Sequence, residues 1–360
     1  MKVLTILGTR PEIIRLCLVI QKLDKLCDQI IVHTGQNYDY NLDEIFFKEL
    51  GVRKPDYYLG AKGSFGEQIS IILKGIEKVL IKERPDRFLV LGDTNSSLAA
   101  IMAKRTGIPV YHMEAGNRCY NEKVPEEVNR KIIDHCSTVL MPYTERSRAN
   151  LLKEGIEGER IYVTGNPIKE VLDYFEQKIE KSKIFEKFKI KKNNYFLVTL
   201  HRSENVDVPE RLEKFIDGLN RLTKSYKTTI IFSVHPHTKK RILENKKIKI
   251  SKDIIMSEPL GLFDFIYLEK NARCVLTDSG TVQEECSIFN VPNVTLRDET
   301  ERPETIEAGS NILSGAEPNM IVSCVKTVLS SAKKWSPPPE YLVQNVSDKV
   351  VKIVLGHQKK

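Results

Sequence analysis

Along the chain, short apolar runs alternate with longer segments whose apolar positions recur at helical spacing. In the first half the runs 2–7, 29–33, 87–91, 109–113 and 137–141 precede segments at 12–25, 41–50, 96–106, 126–136 and 146–154, and a last run falls at 161–163. The runs read as buried strands and the segments as amphipathic helices, which predicts a parallel sheet covered on both faces. After Gly165-Asn166-Pro167 a charged stretch, 168–190, carries no strand signal and reads as a helical connection. A second series follows, with runs at 195–200, 228–234, 252–256, 273–276 and 291–296 and helical segments at 209–224, 238–245, 261–270 and 280–289. The pattern predicts an α/β protein of two Rossmann-like domains, 1–168 and 169–339, with a cleft between them. The tail after Pro337-Pro338-Pro339, residues 340–360, is expected to return to the first domain.

In such sheets ligands bind beyond the carboxyl ends of the strands, so the residues after each run carry the candidate chemistry. The first run leads into Gly8-Thr9-Arg10-Pro11-Glu12. Thr9 and Glu12 have capping-box spacing, and Pro11 suits a first helical turn. Arg10 is not explained that way: a cation at a helix N-terminus is unfavourable unless an anion neutralises it. It is therefore a candidate phosphate ligand, with Arg15 a turn further on.

Gly92-Asp93-Thr94 and Glu114-Ala115-Gly116 each place a carboxylate at a strand end, and Glu126 follows in Pro125-Glu126-Glu127-Val128-Asn129-Arg130. Asp93 also suits a helix cap and Glu126 an ordinary acidic helix start. Three carboxylates at one rim point instead to a site. The second half contributes His201-Arg202-Ser203-Glu204-Asn205 and His235-Pro236-His237, histidines at two strand ends suited to phosphate binding or proton transfer near neutral pH. In Thr277-Asp278-Ser279-Gly280 a strand run passes into a helix holding Gln283, Glu284 and Glu285. Ser279 is either a plain cap or part of a diphosphate cradle, with Gly280 allowing close approach of the backbone.

Composition narrows the classes. At 360 residues and 41% hydrophobic the chain can fill two cores. No apolar stretch reaches the roughly 20 residues that span a bilayer. The N-terminus opens on a strand pattern where a signal peptide would need a cleavage site, so no membrane segment and a cytoplasmic location are expected. Seven cysteines form no metal-ligand spacing, and neither a disulfide framework nor a metal is expected. The net charge of +8 is spread out, and its densest run, Lys178 to Lys192, is interleaved with Glu180 and Glu186. That is a solvated face, and no nucleic acid is expected as a partner; an anionic small molecule fits the charge equally well.

Taken in order with Thr164-Gly165-Asn166 and Thr300-Glu301-Arg302-Pro303-Glu304, these motifs resemble the non-hydrolysing UDP-N-acetylglucosamine 2-epimerases over nearly the whole chain. The resemblance implies a GT-B fold, a UDP-sugar substrate inverted at C2, a homodimer, no cofactor, and a place in the synthesis of surface-polysaccharide precursors. It carries catalytic importance onto Asp93, Glu114, Glu126 and His201. It assigns diphosphate and sugar to Arg10, Arg15, Arg130, His235, Ser279 and Gly280, the ribose to Glu285, and a further substrate contact to Arg302. Departures from the family pattern are Arg15 for lysine, Thr281 for a second glycine, Cys286-Ser287 for Ala-Pro, and a segment Gln36 to Tyr40 without the Gln-His pair of the family's allosteric site. With Ala115-Gly116-Asn117-Arg118-Cys119 they are more similar to the branch acting on UDP-2-acetamido-2,6-dideoxy-L-hexoses. A hydrolysing epimerase, a GT-B glycosyltransferase and a non-catalytic UDP-sugar sensor are the alternatives.

Overall fold

The apolar runs become the strands of two parallel sheets, seen in a computed structural model that describes residues 1–35, 40–122, 124–330 and 335–356. The first sheet holds β1 (Lys2–Leu7), β2 (Asp28–His33), β3 (Tyr57–Tyr58), β4 (Arg87–Leu91), β5 (Val110–Met113) and β6 (Val139–Met141), in the order β3-β2-β1-β4-β5-β6. The second holds β7 (Tyr195–Leu200), β8 (Thr229–Val234), β9 (Ile254–Ser257), β10 (Cys274–Thr277), β11 (Asn293–Thr295) and β12 (Asn311–Leu313), in the order β12-β11-β10-β7-β8-β9. Every pairing is parallel. The strands read as near-continuous apolar runs because helices cover both faces of each sheet.

The chain divides into two compact units, Met1–Asp173 with Glu340–Lys360, and Tyr174–Pro339. Each has its own core. In the first, Leu4, Ile6, Phe88, Val90 and Val110 pack against Ile72, Ile76 and Leu80 of the helix Phe65–Glu83. In the second, Phe196, Val198, Phe232 and Leu276 pack against Phe215, Leu219 and Leu222 of the helix Pro209–Tyr226. The helix Val346–Leu355 belongs to the first unit, where Lys22 Nζ meets Asp348 Oδ1 at 2.7 Å and Glu170 receives the Ser347 N–H at 2.8 Å.

One strand expectation fails. The run 161–163 forms no strand: Ile161 makes a single bridge to Leu140. The turn Gly158–Arg160 delivers the chain to the sheet edge, and Gly165, at φ +91, turns it away again. Two strand and helix pairs appear that the pattern did not announce, β3 with Phe65–Glu83 and β12 with the helix Pro318–Ser330. Of the segment Gln36 to Tyr40, from which the lack of the Gln-His pair was read, residues 36–39 and the side chain of Tyr40 lie outside what the structure describes.

The topology marks where ligands belong. The first sheet grows outward from β1 through β2 to β3, and β4 then starts again on the other side of β1; the second does the same around β7 and β10. At such a switch point the connections diverge and leave a crevice beyond the strand ends. The turns after β1 and β4 flank one crevice, and those after β7 and β10 flank the other.

Candidate active site

In the first unit two of the three predicted carboxylates, Asp93 and Glu114, stand at strand ends beside the switch point, each against a buried arginine. Glu114 follows β5 with φ +66, a left-handed backbone that only a few per cent of non-glycine residues adopt. Its Oε2 accepts from Arg15 Nη1 at 2.6 Å and from the Tyr143 hydroxyl at 3.4 Å, and its Oε1 accepts from Asn117 Nδ2 at 3.1 Å. Arg15 lies on the helix Arg10–Leu26, where its guanidinium also sits over the Tyr143 ring. Asp93 follows β4, and its Oδ2 accepts from Arg130 Nε at 2.7 Å. Thr94, and not Asp93, takes the N-cap position of the short turn Asn95–Ala99, so capping does not account for Asp93. Arg15 and Arg130, both expected to hold phosphate or sugar, thus each engage a carboxylate.

Glu126 stands half-buried in the first turn of the helix Pro125–Cys136. Its neighbour Glu127 is buried and receives Arg130 Nη1 at 2.7 Å and the N–H groups of Cys119 and Tyr120 at 3.1 Å. Burial opposes ionisation of Glu127, but these donors outweigh it and hold the carboxyl below its ordinary range. Arg10 opens the helix Arg10–Leu26 and stacks over Phe46.

Glu12 does more than cap. It is buried; its Oε2 receives the N–H groups of Gly8 and Thr9, and its Oε1 receives the Thr94 hydroxyl at 2.8 Å. It therefore joins the turn that carries Arg10 to the turn that carries Asp93. Burial pushes it up to about 7 despite those donors. A further layer was not legible in the sequence: His112 on β5 lies 2.9 Å from Asp134, which also meets Arg118 Nη2 at 2.8 Å.

In the second unit the organising group is Asp278, fully buried after β10. It accepts from the N–H groups of His201 at 3.0 Å and Arg202 at 2.8 Å, from Asn205 Nδ2 at 3.1 Å, and faces His201 Nδ1 at 3.1 Å. Burial opposes its ionisation; His201 and the N–H groups outweigh burial and leave it at about 2. The His201 ring is exposed. Ser279 occupies the N-cap of the helix Gly280–Phe289 without making a side-chain capping bond, which weakens the plain-cap account of this serine.

Gly280 leaves no room for a side chain, since a Cβ there would lie 2.9 Å from Glu301 Oε1. Glu301 is held by Arg202 at 3.1 Å and Arg297 at 2.6 Å, and Arg302 Nε hydrogen-bonds Glu284. Four residues of the network beside Gly280, Arg202, Glu284, Arg297 and Glu301, were not singled out, although three of them lie inside the motifs quoted. His235 caps the helix Pro236–Glu244, its Nδ1 accepting from the His237 N–H at 3.3 Å. Thr281 lies half-buried in the first turn after Gly280. Glu285 is buried on the same helix.

The sequence profile of the UDP-N-acetylglucosamine 2-epimerases matches residues 21–355. The chain belongs to the UDP-N-acetylglucosamine 2-epimerase family. It is 45% identical over 366 residues to the UDP-N-acetylglucosamine 2-epimerase of Methanococcus maripaludis, covering 99% of each chain. It is 38% identical over 335 residues to the UDP-2,3-diacetamido-2,3-dideoxy-D-glucuronate 2-epimerase of Pseudomonas aeruginosa, covering 91% of this chain and 92% of that one. The crystal structure of the Methanocaldococcus jannaschii UDP-GlcNAc 2-epimerase, in complex with UDP-GlcNAc and UDP, superimposes with a TM-score of 0.93 at 44% identity, covering 98% of this chain and 99% of that one. As a UDP-N-acetylglucosamine 2-epimerase family member the protein is an isomerase with the α/β GT-B fold.

Proposed function

We propose that the protein inverts C2 of a UDP-2-acetamido sugar by eliminating and re-adding UDP, and that UDP-N-acetylglucosamine is its substrate. The observation that carries this reading is the pair of strand-end carboxylates, Asp93 and Glu114, each fixed by a buried arginine at 2.7 and 2.6 Å. The C2 hydrogen of such a sugar is not next to a carbonyl, so direct deprotonation and return is too slow. In the elimination one carboxylate takes H2, the C–H electrons form the C1–C2 double bond of a 2-acetamidoglucal, and the C1–O bond breaks with its pair leaving on UDP. The β-phosphate oxygen then returns to C1 while a proton reaches the other face of C2.

That chemistry needs carboxylates held in fixed positions and a donor-rich cradle for the departing diphosphate. Asp93, Glu114 and Glu126 share the proton transfers. His201, His235, Ser279, Gly280 and the cation Arg10 stabilise UDP, and Glu285 reads the ribose. The relatives named above favour a D-sugar over the L-hexose suggested by Ala115 to Cys119. The test is incubation in deuterium oxide with UDP-N-acetylglucosamine and, separately, UDP-2-acetamido-2,6-dideoxy-L-talose, followed by proton NMR at C2. Deuterium entering C2 of the first with appearance of its 2-epimer is expected; turnover of the second alone would overturn the choice of sugar. Asp93→Asn and Glu114→Gln should bind UDP yet lose the exchange, and retained exchange in either removes it from the proton-transfer role.

A further inference from the structure

The segment Ala115 to Cys119, whose sequence pointed to a sugar preference, holds a side chain that the chemistry above leaves without a role. Asn117, three residues after Glu114, is 6% exposed. Its Nδ2 donates to Glu114 Oε1 at 3.1 Å, and its Oδ1 accepts from the Ser147 hydroxyl at 2.9 Å. Ser147 lies in the first turn of the helix Glu145–Lys153, whose N-cap is Thr144. The Thr144 hydroxyl donates to Ser147 Oγ at 3.1 Å and accepts the Ser147 N–H at 3.1 Å. Thr144 and Ser147 are buried as well. Gly116, at φ +79, lets the turn lie against this helix, for a Cβ there would stand 2.3 Å from the Ser147 carbonyl oxygen.

The donors thus run one way, from Thr144 through Ser147 and Asn117 to the carboxylate. Ser147 settles how the amide faces. Turned over, Asn117 would set its oxygen against Glu114 Oε1, acceptor against acceptor, and leave the Ser147 proton facing a donor. The other carboxylate oxygen, Oε2, accepts from Arg15 and Tyr143. A donor on each oxygen sets the plane of the carboxylate; with Oε2 held alone, the group pivots about that oxygen. Hydrogen bonds to an ionised acceptor are roughly twice as strong as neutral ones, so the amide is a firm second anchor.

We propose that Asn117 is a positioning residue: aimed by Ser147, it fixes the plane in which Glu114 meets the C2 hydrogen. The side chain serves the carboxylate and does not read the sugar. This inference rests on the proton-transfer role proposed for Glu114.

The experiment uses the full-length protein and UDP-N-acetylglucosamine, reading kcat, KM and exchange of the C2 hydrogen in deuterium oxide. Asn117→Leu, close in size, should lower kcat and exchange about ten- to hundredfold with KM within about threefold of wild type, because the misplaced group acts in the transition state. Asn117→Asp, which sets a second carboxylate against Glu114, should lower them further. Ser147→Ala keeps the amide but releases it, and should lose about three- to tenfold. Added to Asn117→Leu it should cost nothing more, since Ser147 acts through Asn117; losses that multiply in the double variant overturn that chain. Unchanged kcat in Asn117→Leu overturns the proposal, and so does a KM that rises at constant kcat, which gives Asn117 to the sugar. UDP binding within about threefold of wild type, by calorimetry, confirms that each variant folds. If Asn117→Leu fails that check, Ser147→Ala carries the same comparison of kcat with KM. Glu114→Gln separates this inference from the reading it rests on. Exchange retained there removes the role of Glu114, whereas exchange lost there but intact in Asn117→Leu removes only that of Asn117.

Discussion

His112 Nδ1 and Asp134 Oδ1 are 2.9 Å apart and both buried, and through this pair the turns carrying Asp93 and Glu114 are tied together. His112 Nε2 reaches the Gly92 carbonyl at 3.0 Å, and Asp134 Oδ2 accepts the Gly116 N–H at 3.1 Å. Burial opposes ionisation of Asp134, but His112 and Arg118 outweigh it and hold the carboxyl low. Removing it in Asp134→Ala leaves the buried Arg118 without one of its anions and should cost about 3 kcal/mol or more by urea unfolding. Turnover should fall more than UDP affinity, because the proposed nucleotide cradle lies in the other unit.

Arg15 offers a test of what its charge serves. If it fixes Glu114, Arg15→Met should lower kcat on the order of a hundredfold with little change in KM, since a group needed at the transition state would be misplaced. Arg15→Lys, which keeps the charge and loses the planar fork, should fall between the two. A rise in KM at constant kcat would instead assign Arg15 to the phosphates.

How much of this could be read beforehand depended on the range of the interaction. Parallel strands buried on both faces announce themselves as apolar runs, so most of both sheets was legible. β3, two residues long, offers no run, and the helix after it was overlooked although Ser64 and Glu67 form a capping box and Ile72, Ile76, Val79 and Leu80 make a helical stripe. In the site, Asp93, Glu114 and His201 could be singled out because each follows a strand. Their partners could not: Glu114 and Arg15 are 99 residues apart in the chain, and Asp278 and Asn205 are 73 apart. Arg15 was legible only as a second phosphate candidate a turn beyond Arg10; the anion it meets is the Glu114 carboxylate after β5.

Asp278 should govern acid stability of the second unit. Its carboxyl lies at about 2 in the folded protein against an ordinary 3.8. A depressed folded value contributes stability that is complete above the unfolded value and is lost as pH falls through the folded one. The contribution is about 2 kcal/mol and should disappear between roughly pH 4 and pH 2. In Asp278→Asn that portion of the pH dependence should be absent when unfolding free energies are compared at the two ends of the window.

Glu12 has the opposite sign. Burial lifts it from 4.5 to about 7, so the native state holds a proton that the unfolded chain gives up earlier. Its contribution is present below the unfolded value and is lost as pH rises toward 7, amounting to about 3 kcal/mol at most. Wild-type stability measured by urea titration should therefore decline across this window relative to Glu12→Gln. Because the Thr94 hydroxyl donates to Glu12, the same variant should loosen the turn carrying Asp93 and lower kcat.

Gly280 sets the last expectation. A Cβ at this position would stand 2.9 Å from Glu301 Oε1 and 3.8 Å from Arg302 Cζ. Glu301 cannot swing away freely, since Arg202 and Arg297 hold its two oxygens and it is buried. Gly280→Ala must therefore displace a charged network, and overpacking of this kind costs about 1–3 kcal/mol. The same methyl group would stand at the N-terminus of the helix where the diphosphate is proposed to lie, so UDP affinity should fall about tenfold or more. Gly280→Ala combined with Glu301→Gln separates the two effects. If relief of the crowding restores stability but not UDP binding, the glycine is there for the phosphates; if both return together, it is there only for Glu301.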